Sequence, residues 1–237
     1  MAVVLRLVAV HDEAVEQPVD CTIEDDASDA TAGDVVVVID VIRAFTTAAT
    51  ALAHGATEIR CVDHVEPARA LAAADSTAVL SGEEQGRFPA GFDLWNSPSA
   101  CTAERVGGRP MVFVTVNGTV HLVRAAGAGA VLAAAAVNAS ATAAWLRRNA
   151  GGRRVRLVTT GRTSEDAACA QYIADLASGG PATIASLDAA IGKGVQEHLE
   201  LWEGPRDDVP RFLIDAELCA RVNRYDFAVV GDVAWLS

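Results

Sequence analysis

The segment DVVVVID, residues 34–40, narrows the architecture more than any other stretch of the chain. Four consecutive valines and an isoleucine send branched side chains to both faces of a strand. Such an unbroken run is stable only where both faces are covered, as in a parallel sheet with helices on either side. The same rhythm continues along the chain. Strands are predicted at 58–62, 78–81, 111–115, 130–134 and 155–160, and helices at 45–53, 65–74, 119–126, 140–149 and 164–177. This alternation predicts an α/β protein, a three-layer α/β/α arrangement with largely parallel strands. A length of 237 residues suits one α/β unit over 1–237, and a two-lobed form with a boundary near 107–110 and the site between the lobes is compatible with it.

The opening run MAVVLRLVAV is broken by Arg6 and lacks a basic leader and a small-residue cleavage site. It reads as a first strand rather than a signal peptide, which gives a cytoplasmic expectation and no membrane partner. A formal charge of -12 argues against broad nucleic-acid binding, which needs a basic surface, yet leaves room for a small anionic substrate in one local cleft. Cys21, Cys61, Cys101, Cys169 and Cys219 form no C-x-x-C pair, so buried free thiols are expected. His11, His54, His64, His121 and His198 have no ligand spacing and read as surface or helix-end residues, with His121 near enough to an Asn-Gly-Thr turn to reach a site there. No phosphate-binding G-x-x-x-x-G-K-[ST] loop, well-placed G-x-G-x-x-G or G-x-S-x-G elbow occurs.

The polar residues gather where apolar strands end. Asp40 and Arg43 follow VVVVI; Asn117, Gly118 and Thr119 follow MVFVT; Asn138 and Ser140 follow the AVLAAAAV run; Ser164, Glu165 and Asp166 follow VRLVTT. In a parallel arrangement these four ends share one edge of the sheet, where ligands of α/β proteins bind. The set is rich in oxygen and contains one arginine, chemistry suited to a hard cation and an anionic ligand. Each residue also has a plain structural role open to it. Asp40 can cap a helix, Asn117-Gly118 can be a simple turn, Asn138 can satisfy loop backbone, and Ser164 as N-cap followed by two acids is good helix-start chemistry. Arg43 can hold an oxyanion or pair with Asp40 or Glu83. Two regions break the rhythm: the long Gly/Pro-rich loop 81–100, and a tail after Gly179 with a helical stretch, a polar segment, a strand-like FAVV and no motif.

The segments VVIDVIRAFTTAATALAHGA, GFDLWNSP, VNGT, Asn138-Ala139-Ser140 and SEDAACA, in this order, resemble the 2-phosphosulfolactate phosphatase family. The resemblance implies a magnesium-dependent phosphatase with an α/β fold that converts 2-phosphosulfolactate to sulfolactate and phosphate in coenzyme M biosynthesis. Carried over by position, the resemblance points to Asp40, Arg43, Glu165 and Asp166 for catalysis. It points to Asp93, Asn96, Ser97, Asn117, Gly118, Thr119, Asn138 and Ser140 for substrate, and to Asp40, Glu83, Glu165 and Asp166 for Mg2+. A homodimer is one compatible assembly. The chain departs from the family pattern at Glu84, where GERGG becomes GEEQG, at Val120 after NGT, and at Trp95 within GFDLWNSP. Two cations fewer and one ring more imply weaker recognition of a doubly anionic substrate. A family member acting on another phosphorylated metabolite, or a silent ligand-binding protein, therefore stands beside the first reading.

Overall fold

The computed structural model describes residues 1–10, 17–161, 163–202 and 205–234; His11 lies outside them. Its elements are β1 Ala2–Ala9, β2 Cys21–Glu24, β3 Asp34–Ile39, α1 Ala44–Ala53, β4 Ile59–Val62, α2 Val65–Ala74, β5 Val79–Gly82, β6 Leu94–Trp95, α3 Ala103–Val106, β7 Met111–Val114, α4 Gly118–Arg124, β8 Ala130–Ala134, α5 Ala139–Asn149, β9 Arg154–Thr159, α6 Ser164–Ser178, α7 Ile184–Glu200, α8 Val209–Cys219 and β10 Phe227–Ala234.

The valine run behaves as its composition requires. Val36 and Val38 point into a core shared with Phe45, Ala48 and Leu52 of α1 and Leu122 of α4. Val35, Val37 and Ile39 point the other way, against Leu146 of α5 and Ile173 of α6. Every residue of β3 is buried. A smaller third core joins Val62, Val112 and Val114 to Val65 and Ala68 of α2. Helices thus cover both faces of one sheet, in the order β2-β9-β3-β8-β10-β1-β4-β7-β5-β6.

Six neighbouring pairs are parallel and three are antiparallel, and the antiparallel ones are consecutive. The sheet therefore consists of two parallel blocks joined through β10 and β1, and β7 runs against β3, β8 and β9. The expectation that four strand ends share one edge through parallel direction fails at β7, because the apolar pattern of a strand carries no information about its direction. Twist restores part of the arrangement. Five neighbour steps separate β3 from β7, and at roughly 20–25° each the blocks turn by about 100–125° relative to one another. The loop after β7 then returns to β3. A Cβ on Gly118 would stand 2.9 Å from Asp40 Oδ2 and 2.8 Å from the Ala44 Cβ.

Candidate active site

Asp40 leaves β3 just before α1, and one of its oxygens does cap that helix, accepting the Ala44 N–H at 2.9 Å. The other meets the Thr160 hydroxyl at 3.2 Å. The same hydroxyl lies 3.4 Å from Asp166 Oδ2. Asp166 also accepts the N–H of Val41 at 2.8 Å and of Gly161 at 2.9 Å, which ties the start of α6 to the end of β3. A hydroxyl carries one proton and cannot donate to both carboxylates at once.

Asp40 is 7% exposed and Asp166 3%. Burial pushes the Asp40 carboxyl up, and the negative charge of Glu165 adds to the shift. Burial, then the charge of Asp40, pushes Asp166 well above the ordinary carboxylate range. Among the described residues no arginine or lysine pairs with either carboxylate, and Arg43 gives its Nη1 to Asp215 at 2.7 Å instead. Two buried carboxylates with raised proton affinity, sharing one hydroxyl proton, are hard oxygen donors that fit a divalent cation. Among the described residues no three His, Cys, Asp or Glu side chains converge to form a metal cluster. Magnesium is commonly held by one or two carboxylates, with water and substrate phosphate in the remaining positions.

The two adjacent acids of α6 diverge. While Asp166 turns to β3, Glu165 turns to α7, where its Oε1 receives the Thr163 hydroxyl at 2.8 Å and lies 2.9 Å from His198 Nε2. Its Oε2 is buried without a hydrogen-bond partner. A Cβ on Gly194 would come within 2.0 Å of that oxygen, so only glycine lets α7 cross so close. His198, read from sequence as a surface or helix-end residue, is a half-buried partner of Glu165 whose ring lies 6.0 Å from Phe212. The N-cap of α6 is Thr163 rather than Ser164, whose N–H and hydroxyl both go to Glu197 of α7.

Arg43 belongs to a second cluster, centred on Asp215 of α8. Asp215 is fully buried; besides Arg43 it accepts the hydroxyls of Ser97 at 2.8 Å and Ser99 at 2.6 Å and the Ser99 N–H at 3.1 Å. Asn96 joins from the side, accepting the Thr47 hydroxyl of α1 at 3.1 Å. The Arg43 guanidinium also lies over the Phe212 ring, 5.6 Å from its centroid. Neither partner proposed for Arg43 from sequence, Asp40 or Glu83, takes it.

Other candidates are spent on backbone. Glu83 accepts the N–H of Val116 and Gly86, Asp93 that of Leu80, and Asn138 that of Ala135. Thr119 is tied into the Thr115 turn. Ser140 gives its N–H to Asn223, and Asn117, exposed, accepts at its carbonyl oxygen from the His121 ring. The structure thus brings Asp40, Asp166 and Gly118 together, and separately gathers Arg43, Asn96 and Ser97.

The model of the 2-phosphosulpholactate phosphatase family matches residues 21–233. The chain belongs to this family. It is 36% identical over 177 residues to the "Probable 2-phosphosulfolactate phosphatase" of Gloeobacter violaceus, covering 72% of each chain. It is 35% identical over 207 residues to the protein of the same name from Carboxydothermus hydrogenoformans, covering 83% of this chain and 85% of that one. Against the one from Symbiobacterium thermophilum it is 45% identical over 121 residues, 49% of this chain and 51% of the other. The 2-phosphosulpholactate phosphatase family is one of enzymes, phosphoric monoester hydrolases.

Two residues at this family member's site escaped the sequence reading, His198 and Asp215. Both come from the tail after Gly179, where single polar residues sit in amphipathic helices. The one available signal was a carboxylate, Asp215, in the apolar context FLIDAELC. No described helix is long and apolar enough to cross a membrane.

Proposed function

We propose that the protein is a magnesium-dependent cytoplasmic phosphatase that hydrolyses the phosphate monoester of a small anionic hydroxy acid resembling 2-phosphosulfolactate. The observation that carries this reading is the buried Asp40–Asp166 pair, two carboxylates that no described arginine or lysine pairs with, beside a loop that only glycine allows so close. Asp40 and Asp166 would hold the metal. Bound there, magnesium supplies charge neutralisation and Lewis-acid polarisation of a phosphoryl oxygen.

The remaining chemistry belongs to the chain. Asp215 fixes Arg43 through Nη1 alone, which leaves the other guanidinium nitrogens for the phosphate oxygens. Phe212 shields that guanidinium on one side and so strengthens its interaction with an anion. Thr160 can give its proton to either carboxylate, one at a time, and the positive end of α6 favours their negative charge. Phosphate release from a panel of phosphorylated hydroxy acids, with magnesium and with chelator, tests the reading. Release that needs magnesium, and that is lost in Asp40→Asn, is the expected result. Release from none of the panel would remove it.

A second reading, in which a different phosphorylated metabolite is the substrate, is favoured by one feature of the loop 81–100. Trp95 meets Phe88 in a tilted ring contact at 5.4 Å and carries the Arg211 guanidinium 5.1 Å above its ring, a bulky platform for a small substrate. The same panel separates the two, since the sulfonated member is then not the preferred one.

A further inference from the structure

At the far end of α1 from Arg43 lies a cavity of about 290 Å³. Its walls are the C-terminus of α1, the turn Pro98–Ala100 with Thr102, and the segment that follows α8. Arg221 and Arg224 both line it, together with His54, Ser99, Thr102 and Tyr225. Among the described residues no aspartate or glutamate lines it, in a chain that carries 31 acidic residues against 19 basic ones. Among the described residues neither guanidinium makes a hydrogen bond or ion pair, unlike those of Arg43, Arg154 and Arg156.

Three of the other polar side chains of the wall already have partners. The His54 Nδ1 faces the Cys101 carbonyl and so must carry the proton there, Tyr225 donates to Thr50, and Ser99 donates to Asp215. Beside the Thr102 hydroxyl, the cavity presents two unpaired forked cations above an apolar floor of Pro98, Val137 and Leu218. Two guanidinium forks match a tetrahedral oxyanion by parallel hydrogen bonds. The volume, at the lower end of the roughly 300–1,000 Å³ of ligand pockets, suits a small anion on a short carbon chain.

We infer that this cavity is a second anion-binding site, distinct from the Asp40–Asp166 centre, which takes a phosphate or sulfonate group on a skeleton of two or three carbons. Through Ser99 the ligand shares a wall with the Asp215–Arg43 pair.

Isothermal titration in chelator isolates the cavity, because without a metal the negative Asp40–Asp166 pair repels a dianion. The probes are glycerol phosphate, a two-carbon sulfonate and inorganic phosphate. Expected is one site in the unaltered chain and at least a tenfold loss of affinity in Arg221→Ala/Arg224→Ala. The organic probes bind more tightly than inorganic phosphate if the apolar floor takes part. Arg221→Lys/Arg224→Lys keeps the charge and removes the forks, and is expected to bind more weakly than the unaltered chain. It also serves if the double alanine variant melts early. No binding by the unaltered chain, or equal binding by the chain and a folded double variant, overturns the inference. Adding magnesium should then reveal a further phosphate site that survives in the double variant. Its absence counts against the proposed phosphatase reading and not against the cavity.

Discussion

Asp40 and Arg43 stand three residues apart, on either side of one tight turn, and belong to opposite electrostatic regimes. Around Arg43 every charge has an answer: Asp215 supplies the counter-charge, two serine hydroxyls and an N–H complete its acceptors, and an aromatic ring covers the guanidinium. Around Asp40 the neighbour is a second acid, Asp166, and the one hydroxyl proton within reach of both can go to only one of them at a time. The first arrangement is stable by itself and holds the loop 81–100, α1 and α8 together. The second is unfavourable by itself, and a buried like-charge pair persists only where something else gains from it. That contrast separates scaffold from chemistry more sharply than residue type does, since both clusters are built from carboxylates at the same end of β3.

The largest effect should come from unbalancing the satisfied cluster. Asp215→Asn leaves the half-buried Arg43 cation without its counter-charge, and breaking a buried pair on one side costs about 3–5 kcal/mol. Urea unfolding would read it directly. A loss below about 1 kcal/mol would show that the tail docks through its apolar contacts instead.

Asp40→Asn should act in the reverse sense on stability. The new amide keeps an oxygen for the Ala44 N–H and can donate to Thr160 or to Asp166, so the variant should melt higher than the original in chelator. At the same time phosphate release should fall by about a hundredfold or more, the usual scale for loss of a charged group acting on the reacting atoms. If both stability and activity fall together, Asp40 is chiefly the cap of α1. Asp166→Asn makes the comparison finer, because Asp166 accepts two backbone N–H groups and an amide can accept only one of them well. That variant should lose activity and some stability as well.

The same contrast has a pH signature. Asp40 and Asp166 have their folded proton affinity raised, mainly by burial. As pH climbs, the unfolded chain gives up these protons first, near the ordinary aspartate value of about 3.9. The stability they contribute is therefore complete below that value and is lost as pH rises through the raised folded values. In chelator, the melting advantage of Asp40→Asn should grow from acid towards neutral pH, and saturating magnesium should flatten the trend. An advantage independent of pH would mean that the acids are not uncompensated.

How much of this could be read in the chain before folding follows from what each residue does. The valine run and the alternation were legible because each answers a local demand: two covered faces, and a helix after a strand. Strand direction was not legible, and β7 reaches Asp40 by accumulated twist across the antiparallel centre of the sheet. Nor could a polar residue at a strand end be told from a backbone clasp. Glu83, a carboxylate, and Asn138, a carboxamide, stand in the same kind of place as Asp40, yet close loops. His198 and Asp215 come from α7 and α8, where their partners lie 33 and 172 residues away in sequence, beyond the reach of any local pattern.

The smallest effect, and the cleanest check that the two clusters are electrically separate, lies at Trp95. Its ring faces the Arg211 guanidinium and the half-exposed Phe88, and neither residue contacts Asp40 or Asp166 by a hydrogen bond. A cation–π contact at an exposed site contributes about 0.5–1 kcal/mol, so Trp95→Gly should lower stability by no more than that plus the modest cost of a glycine in a two-residue strand. Magnesium affinity, read by titration, should stay within about twofold of the original, since a 1.4 kcal/mol change in binding is needed for tenfold. The relative kcat/KM for sulfonated and unsulfonated phosphoesters should move, because the platform stands on the same loop as Asn96 and Ser97 and shares α8 with the residues that hold Arg43. A drop in magnesium affinity comparable with that of Asp40→Asn would mean that the loop shapes the carboxylate pair after all, and the division between a satisfied scaffold and an unsatisfied centre would have to be redrawn at β6.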